Sequence, residues 1–302
     1  MLTFMPGKGV SSVRRRRETA AAYSLLLPSM IGVALFLLVP VVIVIGLSFM
    51  RWDLISDPTW VGLANYQSIF SSANFRNSVA VSILFTALTI PATIAIGLLL
   101  AMALNRRLPG SGALRVIYVL PWVCAPLTLG VVWRWVFDPT NGALNAILGR
   151  RVEWLTDLSL AMPSVAFVQV WSTIGYVSLF FLAGLQQIPH PIYEASRLDG
   201  AGPVRTLWSI TLPLLRPTMF FVSVTSVIGS FQVFDLIYGL TRGGPGVPGR
   251  TDVLAARIYS EAFVSLRLGT ASAMAVVLFV VLVAVTIAQQ RWFRSRITYD
   301  MT

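Results

Sequence analysis

Six stretches of the chain contain no Asp, Glu, Lys or Arg: residues 19–50, 77–105, 116–133, 158–193, 217–234 and 268–290. A helix needs about 18–20 apolar residues to cross a hydrocarbon core, and each stretch reaches that length. The pattern therefore predicts six transmembrane helices, at about 21–49, 78–104, 114–137, 160–186, 214–240 and 268–290. Pro28 and Pro40 should kink the first, and Pro121 and Pro126 lie within the third. Between the spans, PGSG (109–112) after Arg106 and Arg107 is a tight turn, and DPTNG (138–142) is a second turn signal. WVGLANYQSIF (60–70) reads as a short interfacial helix, with Trp60 and Tyr66 suited to the headgroup level. TRGGPGVPGRTD (241–252) reads as irregular backbone, followed by a short amphipathic helix over 253–263.

One polar interruption, HPIYEASRLDGAGPVRTLWSITLPLLRP (190–217), combines helix signals, a turn and a basic flank between two apolar segments. Pro191 suits a helix first turn, where no backbone donor is required. Residues 192–199 can form about two turns, and Gly200 can take the left-handed backbone that closes them. Pro203 opens a second helix, and Pro213 and Pro217 mark its exit. The result is a compact knob between the fourth and fifth spans.

Composition supports the same class. Of 302 residues 56% are hydrophobic and only 12% charged, with a mean hydropathy of +0.76, against about 25% charged in soluble domains. The fold class is all-α: a polytopic membrane protein with six transmembrane helices, a basic tail over 1–18 and a transmembrane domain over 19–302. The first apolar segment is too long for a signal-peptide core and lacks a small-x-small cleavage site, so it is retained as helix one. The net charge is +11, but the cations gather at the ends of apolar segments rather than along one face, which argues against nucleic acid. With the N-terminus inside, 14 of the 23 basic residues fall on the cytoplasmic side, the positive-inside pattern. Both termini and the knob are then cytoplasmic, and the tail arginines lie near anionic lipid headgroups.

Little chemistry is available to the chain itself. Cys124 is the only cysteine and His190 the only histidine, so neither an internal disulfide nor a His/Cys metal site is expected, and the usual nucleophile–base pairs of a hydrolase are absent. The only lysine is Lys8, in the tail; a phosphate-binding loop requires a lysine after glycine, so any ATP must be bound by another chain. No cofactor is expected on this one. A carrier driven by an ion gradient remains the alternative. Such carriers place ionisable groups deep in the bilayer, and here only Arg134 and Asp235 qualify, both toward the outer ends of their helices.

The knob carries a more specific signal. EASRLDGAG (194–202) followed by ITLP (210–213) closely resembles the EAA loop of permease subunits of bacterial ABC importers. Glu194, Ala195, Asp199, Gly200, Ala201, Ile210, Leu212 and Pro213 match the pattern, and Ser196 stands where a third small residue, alanine, is usual. The resemblance implies that this loop is a coupling helix docking in a cleft of an ATPase subunit. GLANYQSIF (62–70), FQVFDLIYGLTRGGP (231–245) and TDVLAARIYSEAF (251–263) are similar to the carbohydrate-uptake, maltose-permease-type branch, and within it to the subunits serving glycerol-3-phosphate and glycerophosphodiester import. The resemblance covers nearly the whole chain after the tail. It implies a bacterial inner-membrane location and import by alternating access. It also implies a second homologous permease subunit, two ATP-binding subunits and an extracytoplasmic solute-binding protein as partners.

Polar residues in apolar helices mark the expected solute route, because a polar group facing lipid is costly. Ser223, Ser226 and Ser230 share one helix face; Gln232 and Asp235 extend that polarity outward. Gln169, Trp171, Thr173 and Tyr176 are the candidates in helix four. For each serine, tight helix packing is the favoured alternative to the route.

Overall fold

The computed structural model describes residues 12–105, 110–243 and 250–294. The basic tail through residue 11, Arg106, Arg107 and Pro109 of the predicted turn, half of the Gly/Pro-rich loop (244–249) and the C-terminal residues 295–302 lie outside the described residues. The chain is helical almost throughout: α1 Ser12–Val33, α2 Val39–Leu47, α3 Ala64–Ser71, α4 Ala73–Asn105, α5 Ser111–Val123, α6 Pro126–Val136, α7 Ala143–Leu148, α8 Ala161–Gln187, α9 His190–Leu198, α10 Pro203–Thr206, α11 Leu212–Leu214, α12 Arg216–Phe231, α13 Asp235–Leu240, α14 Leu254–Tyr259 and α15 Leu268–Arg294. The only strands among the described residues are β1 Met50–Arg51 and β2 Thr59–Trp60, paired antiparallel.

Among the described residues, four helical spans are long and apolar enough to cross a membrane: Ala21–Leu47, Ala73–Asn105, Ala161–Gln187 and Leu268–Phe293. Two bent pairs, Ser111–Val123 with Pro126–Val136 and Pro203–Leu214 with Arg216–Phe231, raise the total to six. None of the most apolar stretch of the first span is buried, and Leu25 and Phe36 are 82% and 85% exposed. In a bilayer such a surface is covered by acyl chains.

Proline chemistry explains where the spans deviate. A π-helical turn, Ala34–Leu38, joins α1 to α2, with the Val39 amide donating to the Ala34 carbonyl. Pro40 follows; it has no N–H for the carbonyl one turn back and its ring crowds that carbonyl, so the ladder widens ahead of it. The same device recurs at Leu207–Thr211, where the Leu212 amide donates to Leu207 ahead of Pro213. The third span differs from the single rod expected over 114–137. It breaks at Cys124 and Ala125, both extended, and the halves meet at 97°. Ala125 precedes Pro126, whose Cδ disfavours helical backbone at the residue before it. The fifth span likewise is not continuous over 214–240. It bends by 72° near Leu215, stops at Phe231 and resumes as α13 at Asp235.

α8 lies against α4 along much of its length, α5 packs on α8, α12 on α4 and α15, and α6 on α13. Phe85, Val165, Val168 and Ile237 centre one buried cluster; Ala101, Phe181 and Leu215 a second; Ile69, Ala273 and Met274 a third. At the α6–α13 crossing Gly130 and Gly239 face each other, and a methyl on either would strike the other helix's backbone. The expected short helix over 60–70 is realised as α3, held to the end of α2 by Asn65 donating to the Ser48 and Met50 carbonyls at 2.9 and 2.8 Å. The one expected over 253–263 is α14 plus a π-helical turn, Ser260–Val264.

Candidate functional site

Two features stand out, and the same helices join them. The first is the knob. α9 starts with Pro191 in its first turn and ends in a Schellman closure: the Ala201 amide donates to Ser196 at 2.9 Å and the Gly200 amide to Arg197 at 3.0 Å. That closure needs left-handed backbone at its pivot, and Gly200 supplies it with φ +71°. Pro203 opens α10. Ser196 is buried, its hydroxyl donating to the Tyr193 carbonyl at 3.0 Å, so a small residue is required there. Glu194, Ala195, Asp199 and Gly200 are exposed, and Glu194 lies 3.5 Å from the His190 ring on the next turn. Ala201, Ile210, Leu212 and Pro213 are half-buried, Leu212 against the cluster around Leu215. Three apolar side chains stand out from the knob: Leu198 at 89% exposure, Val204 and Trp208. A cleft of about 320 Å³ behind α9 is lined by Met102 of α4 with Tyr193, Arg197 and Thr211 among others, so the knob rests on the end of α4.

The second feature is a cavity of about 210 Å³ between α4, α5, α8 and α12. Of the expected route residues, Gln169, Thr173 and Tyr176 line it from α8, and Ser226 and Ser230 from α12. Its floor includes the Trp122 ring, stacked on Tyr176 at 4.4 Å between centroids and 14° between planes. Ser230 approaches Thr86 of α4 at 2.9 Å. Trp171 is not in the cavity: it packs edge-on against Trp133 at 5.2 Å. At about 100° per residue, two positions from Gln169 is the opposite side of the helix. Gln232 and Asp235 do not line it either; both are exposed at the interruption between α12 and α13, where the serine face ends. Arg134 donates to the Gly239 carbonyl at 3.1 Å, and no ion pair joins it to Asp235 among the described residues.

Sequence reasoning missed Thr89, Thr93 and Trp122. A signal for the threonines was present: Thr86, Thr89 and Thr93 repeat in α4 the spacing of the α12 serines. It missed as well a buried ion pair beside α4. Asp252, almost wholly buried, binds Arg257 and accepts from the Ser78 hydroxyl at 3.0 Å, while Ser82 accepts from the Leu254 amide at 2.8 Å.

Residues 93–299 match the model of the binding-protein-dependent transport system inner membrane component. The chain belongs to this family. It is 36% identical over 282 residues to the sn-glycerol-3-phosphate transport system permease protein UgpA of Agrobacterium fabrum, covering 92% of this chain and 96% of that one. It is 33% identical to the trehalose/maltose transport system permease protein MalF of Thermococcus litoralis, covering 95% and 98%. A bacterial ABC transporter for import of the acidic polysaccharide alginate has the same fold, with a TM-score of 0.81 at 23% identity over 93% of this chain and 98% of its own. The same transporter bound to its periplasmic protein, itself carrying an alginate pentasaccharide, superposes equally well. The chain is thus a multi-pass membrane permease of an ABC importer, and the gradient-driven alternative falls. It is a transport subunit and not an enzyme; ATP hydrolysis belongs to a separate subunit.

Proposed function

We propose that this chain forms half of a solute pore that alternates between inward- and outward-open states, driven through the knob at 190–217 by an ATPase subunit docked on it. One observation carries this reading: α8 enters the knob and α12 leaves it, and these helices also supply Gln169, Tyr176, Ser226 and Ser230 to the cavity. A push on a rigid knob therefore reaches the cavity through helices that move as bodies. Glu194, Ala195, Ser196, Asp199, Gly200, Ala201, Ile210, Leu212 and Pro213 make the knob stiff and small enough to enter a cleft. The apolar side chains of Leu198, Val204 and Trp208 form the contact with the ATPase.

The complete transporter contains a second homologous permease, two ATP-binding subunits and an extracytoplasmic solute-binding protein at the face opposite the knob. The knob and both termini are cytoplasmic, in accord with the arginine distribution, and the chain itself binds no cofactor. The solute is small and polar, a sugar or a glycerol-3-phosphate-type compound such as the named relatives handle.

Sidedness gives the direct test. A Leu198→Cys variant in a Cys124→Ala background should react with a membrane-impermeant maleimide in inverted vesicles and not in right-side-out ones. ATPase bound to the complex should block that labelling. Labelling from the outside would overturn the proposal.

A further inference from the structure

The cavity between α4, α5, α8 and α12 has an uncharged lining that bears on the solute classes just named. None of its twelve lining residues is charged. Three of its threonines use their hydroxyl protons within their own helices. Thr89 donates to the Phe85 carbonyl at 2.8 Å, Thr173 to Gln169 at 2.8 Å and Thr225 to Phe221 at 2.9 Å. What such a hydroxyl still offers a ligand is oxygen lone pairs. The stacked Trp122–Tyr176 pair adds a flat apolar wall.

We infer that this half of the route is built for a neutral, polyhydroxylated solute, a sugar or polyol, and not for a phosphate- or sulfonate-bearing one. Sugar hydroxyls donate to the threonine oxygens, the Gln169 amide both donates and accepts, and the C–H face of a sugar ring lies against the aromatic wall. A phosphate carries full charge on its oxygens, and although the Gln169, Trp122 and Tyr176 side chains can donate to it, no cation stands among the lining residues to balance that charge. Burying an anion so poorly matched is strongly unfavourable. This inference rests on the cavity being the solute route. It departs from the relatives named for glycerol-3-phosphate while keeping their architecture.

The test follows solute depletion by mass spectrometry in cells that carry the whole transporter and in cells lacking this chain. The defined medium holds maltose, trehalose, further neutral oligosaccharides and polyols, sn-glycerol-3-phosphate and sulfoquinovosyl glycerol. The expected result is that deletion abolishes uptake of a neutral polyhydroxylated solute. Tyr176→Ala and Gln169→Leu should each lower its initial uptake rate by about tenfold, the scale of one lost buried polar contact, in complexes that still assemble by pull-down. Loss of uptake of an anionic solute, or loss of no neutral solute, overturns the inference. If both variants transport normally, it is the cavity's role as the route that fails, and the charge of the solute lost on deletion still decides the solute class.

Discussion

Gly200 shows how much one residue determines at the knob. Its φ of +71° lets α9 close on itself and sets the direction in which α10 departs. A β-branched residue there carries a left-handed penalty of about 1–2 kcal/mol. Gly200→Val should therefore leave the bundle inserted, as judged by its detergent melting temperature, while recovery of ATPase in pull-downs and uptake both fall sharply. Asp157 works at the same scale on the opposite side of α8. Its carboxylate accepts from the Ser159 hydroxyl and amide, at 2.5 and 2.7 Å, and from the Leu160 amide at 3.1 Å, ahead of the first turn. Those bonds, the Ser159 hydroxyl first among them, hold its carboxyl below the usual carboxylate range. A lowered folded pKa means the cap is fully present above the ordinary value of about 4 and is lost as pH falls through the folded one. Hydrogen exchange at Ser159 and Leu160, corrected for intrinsic rate, should be equally slow at about pH 7 and pH 5. It should be fast in Asp157→Ala at either pH. Asp53 behaves alike, pulled down to about 2 by bonds from Ser56 and Ile55.

Among the elements, the junction of α14 with α4 combines features that hydropathy does not report. Asp252 and Arg257 pair in a site where their side chains are 3% and 19% exposed, and Ser78 bridges them to α4. Removing one partner strands the other charge in a low-dielectric site, at a cost of about 3–5 kcal/mol for a buried pair. Asp252→Ala should lower the melting temperature of the purified complex well beyond Ser78→Ala, and Arg257→Ala should match it. The broken spans show how far patterning reaches. Prolines at 40, 121, 126 and 213 signalled irregularity, because each deletes a helical donor. The sequence did not say whether a proline would bend a helix gently, insert a π turn or turn the chain by 97°. That outcome depends on which neighbours donate to the freed carbonyls. Trp171 and Gln232 illustrate the same limit: both are polar-capable and correctly placed on a span, but the rotation of α8 and the early end of α12 turn them away from the cavity.

For the molecule as a whole, the consequence is dependence on others. Its only lysine, Lys8, lies in the tail rather than in a phosphate-binding loop, and no residue in the most apolar stretch of its first span is buried. Reconstituted alone in liposomes under a proton or sodium gradient, it should accumulate no solute. With the proposed ATPase, companion permease and binding protein added, uptake should require ATP inside and binding protein outside. Accumulation by the chain alone would contradict the family assignment as well as the mechanism.

The membrane class, the number of crossings and the knob were legible in the sequence. They rest on local physics: a charge-free run long enough to cross lipid has few other places to be, and a glycine and two prolines at that spacing shape the backbone wherever they lie. The cavity was legible only in part. Which of several polar residues converge, how Trp122 comes to stack on Tyr176, and that Asp252 meets Ser78 across 174 positions are decided by packing. Helix rotation and helix breaks are set by contacts between segments distant in sequence, and a hydropathy pattern records only which residues avoid water.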